Sequence, residues 1–260
     1  MTTTAQHTPQ QNGGAYVEAN GVRTYYEIDG VGEPLLLLHG GLCAIETLTG
    51  LRKALAAQYQ VYLPERRGHG RTPDVDGPYG YELFAEDTIA FIEALAFGPT
   101  HIVGFSDGAT VGLLTALRRP DLVRGLVHIG QQVNPAGLRP EFLGMFNLEA
   151  MPQGMLPPIL RELYDAVSPD GPDHWDVVAG KVWQMITTGP DIDIAQLRQL
   201  RAPTLVMLGE HDIVTEAHAE AMAEAIPDSQ LLVVHDATHG LPMEQPDYVA
   251  KHIVEFISGR

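Results

Sequence analysis

Hydrophobic positions change their period repeatedly along the chain, and each change predicts a new element. Residues 17–18 and 22–28 carry strand patterning on either side of Asn20-Gly21, a dipeptide suited to a tight hairpin turn. Leu35-Leu36-Leu37-Leu38 then forms an uninterrupted apolar run, as expected of a strand covered on both faces of a parallel sheet. A helix over 45–58 and a strand over 60–63 follow. Residues 81–96 put Leu83, Ile89, Ile92 and Leu95 on one helical face. A strand over 100–103, a helix over 107–117 carrying Val111, Leu114 and Leu117, and a strand over 122–129 continue the series. After a gap the alternation resumes as strand 204–208, helix 216–225, strand 230–234 and helix 248–257. Such alternation predicts an α/β protein with right-handed crossovers, a mostly parallel twisted sheet, and helices on both faces.

The gap is residues 131–194. It holds both tryptophans, and Pro152, Pro157-Pro158, Pro169 and Pro172 would break it into short helices. An insertion of this kind is expected to form a helical lid over the site. The core is then 15–130 and 195–260. Residues 1–14, rich in Thr, Gln and Gly, are expected to be a disordered tail.

Charge narrows the partners. With 16 Lys+Arg against 33 Asp+Glu, the net charge of −17 argues against nucleic acid or an anionic membrane as partner. No apolar run spans a bilayer, and the first residues lack a secretory h-region. Cys43 is the single cysteine, which precludes an internal disulfide and fits a reducing cytoplasm. No CxxC or HExxH pattern occurs, so no metal or organic cofactor is expected. The expected partner is a small-molecule substrate, bound by a monomer or homodimer.

The candidate chemistry sits where strands end. Gly104-Phe105-Ser106-Asp107-Gly108 reads as a nucleophile elbow, with Ser106 at a sharp strand-to-helix turn. Serine needs a base and a group to orient that base. Asp212 follows the strand 204–208, and His239 follows the strand 230–234 within a His-Gly pair. Glu210 is the competing acid and His235 the competing base; Asp236 is expected in a descending loop. The oxyanion would be held by the Asp107 backbone N–H and by the loop His39-Gly40-Gly41-Leu42, with Gly41 the first choice and Leu42 next. His39 reads as structural.

In this order, the His-Gly loop, the Arg/Gly loop at 66–71, the elbow, the Gly-x-x-Asp at 209–212 and the late His-Gly resemble the α/β-hydrolase superfamily from about residue 16 to 258. The resemblance implies a cofactor-free serine hydrolase cleaving a small ester, lactone or amide with a Ser106–His239–Asp212 triad. The Arg/Gly loop carries no chemistry in it. The elbow is similar to the Gly-Trp-Ser-Asp-Gly of biphenyl hydrolase-like enzymes, with Phe105 in place of Trp. That likeness makes Asp107 a candidate for binding a substrate amine. Substrate contacts are expected from Phe105 and from Phe142, Met145, Trp175 and Trp183 in the insertion, with Phe146 and Met185 as further lid candidates. A lyase, perhydrolase or haloperoxidase on the same fold, or a triad-retaining receptor with slow turnover, are the alternatives. A haloalkane dehalogenase would need an aspartate in place of Ser106.

Overall fold

The computed structural model describes residues 14–144 and 154–259. The expected tail up to residue 13, together with Met145 and Phe146, lies outside the described residues. Among the described residues, eight strands form one sheet in the order β1-β2-β4-β3-β5-β6-β7-β8. They are β1 (Ala15–Ala19), β2 (Val22–Asp29), β3 (Glu33–Leu38), β4 (Tyr59–Pro64), β5 (Thr100–Phe105), β6 (Val123–Ile129), β7 (Thr204–His211) and β8 (Ser229–Thr238). Only β2 runs against the rest; every pairing from β4 to β8 is parallel.

The helices are α1 (Thr49–Leu55), α2 (Tyr81–Leu95), α3 (Asp107–Arg118), α4 (Pro140–Leu143), α5 (Pro158–Val167), α6 (Trp175–Thr188), α7 (Glu216–Ala225), α8 (Leu241–Glu244) and α9 (Pro246–Ser258). The leucine run of β3 explains how they layer. Side chains alternate across a strand, so Leu35 and Leu37 join a core with Leu51 and Leu55 of α1 and Ile253 of α9. Leu36 and Leu38 join the opposite core with Phe84 and Phe91 of α2, Val111 of α3 and Met222 of α7. Each of the four leucines is at most 1% exposed, so truncating any one to alanine would cost about 2–5 kcal/mol.

Two elements depart from expectation. The helix expected over 45–58 begins as a 3-10 turn, Ile45–Leu48, and its α-helical part ends at Leu55. Thr47 and Thr49 donate their hydroxyls back to Ala44 O (2.7 Å) and Glu46 O (2.8 Å), a local competition that tightens the first turn. Strand β8 runs four residues past the expected end at Val234, because its pairing with β7 resumes at His211–Thr238 after an irregularity. Asp236 therefore lies within the strand at a positive φ of 55°, not in a descending loop.

Among the described residues, the stretch between β6 and β7 adds no strand and carries α4, α5 and α6. It is tied back to the core at Asp74. That carboxylate accepts from Lys181 Nζ at 2.8 Å, from His174 Nε2 at 2.9 Å, and from the Tyr79 hydroxyl. The Arg/Gly loop is itself tied within the core. Arg67 forms a two-pronged pair with Asp87 of α2 at 2.7 and 2.6 Å, and Asp87 also accepts from Asn20 at the hairpin turn.

Candidate active site

The elbow is built by two close approaches. A Cβ on Gly104 would stand 2.3 Å from Gly108 O, and one on Gly108 would stand 2.5 Å from Leu38 O, so only glycine fits either position. Between them Ser106 is held at φ 53°, ψ −126°, a conformation that a non-glycine residue rarely adopts. Surrounding bonds fix it there. Its N–H donates to Ile129 O at 2.9 Å, and its carbonyl accepts from Ala109 N at 2.7 Å.

The turn places Ser106 Oγ 3.1 Å from His239 Nε2, and His239 Nδ1 lies 2.9 Å from Asp212 Oδ1. Asp212 is 1% exposed and sits just past the end of β7. Arg139, immediately before α4, grips that turn: its Nε donates to Asp212 O at 2.6 Å and its Nη2 to Glu210 O at 2.5 Å. Val214 N donates to Asp212 Oδ1 at 3.3 Å. Gly130 leaves the space this arrangement needs, since a Cβ there would approach Asp212 Oδ2 to 3.0 Å and His239 Nδ1 to 3.4 Å. Burial works against a charged His239 imidazole, but the Asp212 charge and hydrogen bond outweigh it and raise the pKa above the ordinary histidine value.

The competing acid and base face elsewhere. Glu210 Oε2 accepts from Asp236 N (3.2 Å) and lies 3.3 Å from His235 Nδ1, all on the exposed side of β8. Glu210, His211 and Asp236 could bring three ligand atoms within 4.8 Å of one another, but they are exposed and partly committed to each other. His39 is buried beside Arg66: its Nε2 accepts from Arg66 N at 3.2 Å, and its Nδ1 lies 2.7 Å from Gly40 O.

Leu42 holds the other unusual backbone of the site, at φ 56°. Neither its N–H nor that of Asp107 has a backbone acceptor among the described residues. Gly41 presses against the Asp107 carboxylate, where a Cβ would stand 2.2 Å from Oδ2. Asp107 Oδ1 accepts from the Tyr81 hydroxyl at 2.6 Å, and Gln131 Nε2 is 3.5 Å away. Burial raises the Asp107 pKa, against the opposing pull of the Arg66 charge and the Tyr81 hydrogen bond.

A cavity of about 1050 Å³ opens above Ser106. Phe105, Asp107, Phe142 and Trp183 line it, as do Gly41 and Leu42. Trp175 does not. Its ring instead packs edge-on against Tyr164 at 5.3 Å, joining α5 to α6, and is 7% exposed. Met185 is likewise buried away from the cavity wall. Sequence reading missed the polar wall residues Gln132, Glu46 and Glu244, and missed Arg139 and Tyr81 behind it. None sits in a motif, and each meets its partners only through tertiary contacts.

Several known proteins are similar to this chain. It is 27% identical over 287 residues to 2-hydroxy-6-oxo-6-(2'-aminophenyl)hexa-2,4-dienoic acid hydrolase of Metapseudomonas resinovorans, covering 100% of this chain and 97% of that protein. It is 28% identical to human serine hydrolase BPHL, over 94% of this chain and 86% of that protein. The crystal structure of a meta-cleavage product hydrolase from Pseudomonas fluorescens IP01 (CumD) superimposes with a TM-score of 0.75 at 25% identity, over 95% of this chain and 98% of that one. The family described as Alpha/beta hydrolase family matches residues 35–252. With its sheet order, its elbow and this match across most of its length, the chain belongs to the alpha/beta hydrolase family.

Proposed function

We propose that the protein is a serine hydrolase that cleaves a carboxylic ester, lactone or amide through an acyl-enzyme on Ser106. The observation that carries the reading is the continuous relay from Ser106 Oγ to His239 Nε2 and from His239 Nδ1 to Asp212 Oδ1, at 3.1 and 2.9 Å. In the first half-reaction Ser106 Oγ attacks the carbonyl carbon while its proton passes to His239 Nε2. Asp212 holds the imidazole in place and balances the charge it acquires. The carbonyl oxygen becomes an oxyanion, received by the Asp107 backbone N–H and by that of Gly41 or Leu42. Losing one such donor typically raises the barrier by about 2.7–4 kcal/mol. The tetrahedral carbon then re-forms its carbonyl, and the leaving oxygen or nitrogen takes the proton from His239. Water, deprotonated by the same imidazole, releases the acid and restores Ser106. In this reading the α4–α6 stretch is a lid, and Phe105, Phe142 and Trp183 contact the substrate.

Asp107 is the candidate contact for a substrate amine, supported by its place in the cavity wall. A second reading has specific support: relatives include a 2-hydroxymuconate semialdehyde hydrolase and a meta-cleavage product hydrolase, and the same relay would serve a substrate of that kind. The deciding experiment is intact mass after treatment with a fluorophosphonate, followed by turnover on a panel of esters. One adduct on wild type and none on Ser106→Ala is the expected result. Folded wild type that takes no label, or binds ligand without turnover, would favour a receptor that retains the relay.

A further inference from the structure

The wall of the cavity is mostly apolar, with Leu160, Leu163, Ile186 and Ile213 joining the aromatic residues already named. Among the described residues its charged groups are Glu46, Asp107 and Glu244, with no lysine or arginine. The nearby cations are already committed. Arg71 pairs with Glu46 and, at 2.9 Å, with the buried Glu65. Arg66 donates to Gly40 O at 2.7 Å and lies behind the wall, where its charge offsets that of Asp107. Glu244 has hydrogen bonds from Thr238 N (3.0 Å) and Thr238 Oγ1 (2.5 Å), and no cation in the wall to balance it.

Among the described residues, two acceptors of this wall have no protein donor: Gln132 Oε1 and Glu46 Oε2. Gln132 is 3% exposed, and a buried carboxamide left unpaired is costly unless something that enters the cavity pairs with it. Both lone acceptors ask for a donor from the substrate. A carboxylate would bring only further acceptors, and would leave water for an apolar space with no counter-charge. The net charge of −17 adds a long-range repulsion of anions.

Resting on the serine-hydrolase reading, we infer that this site takes bulky apolar substrates that are neutral or cationic and carry a hydroxyl or amino group away from the scissile carbonyl, and that it excludes carboxylates. Gln132 is the residue that meets the donor. Glu244 is the residue that repels the anion. The volume of about 1050 Å³ fits a substrate larger than a simple short ester. This sets the chain apart from the relative named for a dienoic acid.

The test uses p-nitrophenyl esters of one long acyl chain whose far end is methyl, hydroxyl, ammonium or carboxylate. The wild-type kcat/KM for the carboxylate ester is expected about 100-fold or more below its methyl twin, with the hydroxyl and ammonium esters above it. Gln132→Leu should bring the hydroxyl-to-methyl ratio to about one. Glu244→Gln should raise the carboxylate-to-methyl ratio about tenfold. A wild-type carboxylate ester within threefold of its twin overturns the inference. Binding is read separately on Ser106→Ala by thermal shift with the long-chain alcohol, amine and carboxylate. The first two should raise Tm and the carboxylate should not; an equal shift from the carboxylate also overturns it. Absence of fluorophosphonate labelling bears on the reaction alone, so the two readings fail by different signs.

Discussion

Gly41 and the Asp107 carboxylate are in such close register that a single added methyl at residue 41 would stand 2.2 Å from Asp107 Oδ2. Gly41→Ala must therefore displace the Asp107 side chain from its hydrogen bond with Tyr81, or shift the loop or the first turn of α3, which carry the proposed oxyanion donors. The expected outcome is a fall in kcat of at least about 100-fold, the scale of one lost donor, with KM less affected. Steady-state kinetics on an activated ester checks it.

His239 must be neutral to accept the Ser106 proton, and its pKa is raised because the Asp212 charge outweighs the cost of burial. Activity should therefore rise with pH through an inflection above the ordinary histidine value near 6.5. Asp212→Asn removes the source of the rise. The inflection should move down and kcat should fall on the order of 10³–10⁴-fold. A pH profile of kcat/KM for both proteins measures this.

Acid should unfold the protein through histidines that play no part in catalysis. Burial pushes His69 down to about 3, helped by the Arg66 charge, and pushes His128 down to about 4, helped by His218. His39 is also lowered well below its usual value by burial and by Arg66. Their folded pKa values lie below the unfolded ones, so the unfolded chain binds more protons and stability falls as pH drops below about 6.5. Glu65 opposes this between its ordinary value and about 7, because burial raises its pKa. Asp107, raised by burial, and His239, raised by the Asp212 charge against burial, oppose it too. Burial also lowers His101 and His218, so five lowered imidazoles outweigh three raised groups. For His128 alone the loss from pH 8 to 5 is about 2 kcal/mol. The urea midpoint of His128→Leu should drop less over that interval than that of wild type.

Asp74 gathers Tyr79 from just before α2, and His174 and Lys181 from the stretch between β6 and β7. Asp74→Asn leaves a half-buried ammonium without its counter-charge and should destabilise the protein by about 2 kcal/mol. If α6 is part of a lid, KM should change more than kcat. Differential scanning calorimetry and ester kinetics on the same variant separate the two effects.

Asp107→Asn tests amine recognition. A drop in the preference for aminoacyl over plain acyl esters is expected, read as a ratio of kcat/KM values. An unchanged ratio would confine Asp107 to its hydrogen bond with Tyr81.

What the sequence made legible was whatever depends on local pattern. The Leu35–Leu38 run, the two glycines around Ser106 and the strand ends before Asp212 and His239 each carry their structural reason within a few residues. The hydrogen-bonded chain joins partners 133 and 27 residues apart, and could be assembled beforehand only because family order supplied the pairing. Arg139, Lys181 and Tyr81 had no such guide. Arg139 meets Asp212 across 73 residues, and Lys181 meets Asp74 across 107, through side chains that look like ordinary surface polarity in sequence. Trp175 misled for a related reason: bulk and apolarity mark a residue for burial but do not say on which side of a helix pair it is buried. The extent of β8 was hidden because polar residues at 235 and 236 end the apolar pattern while backbone pairing with β7 continues.

Arg139 has a further consequence for engineering. By connectivity it belongs to the variable stretch between β6 and β7, yet its guanidinium holds the backbone of Asp212 and Glu210, and its own N–H donates to Ile213 O at 2.9 Å. A chimera that imports this stretch from another hydrolase, cut at the end of β6, would discard the clasp on the acid turn along with the substrate-facing helices. A splice placed after residue 139 would preserve it, so specificity could be exchanged while the turn bearing Asp212 keeps its native support.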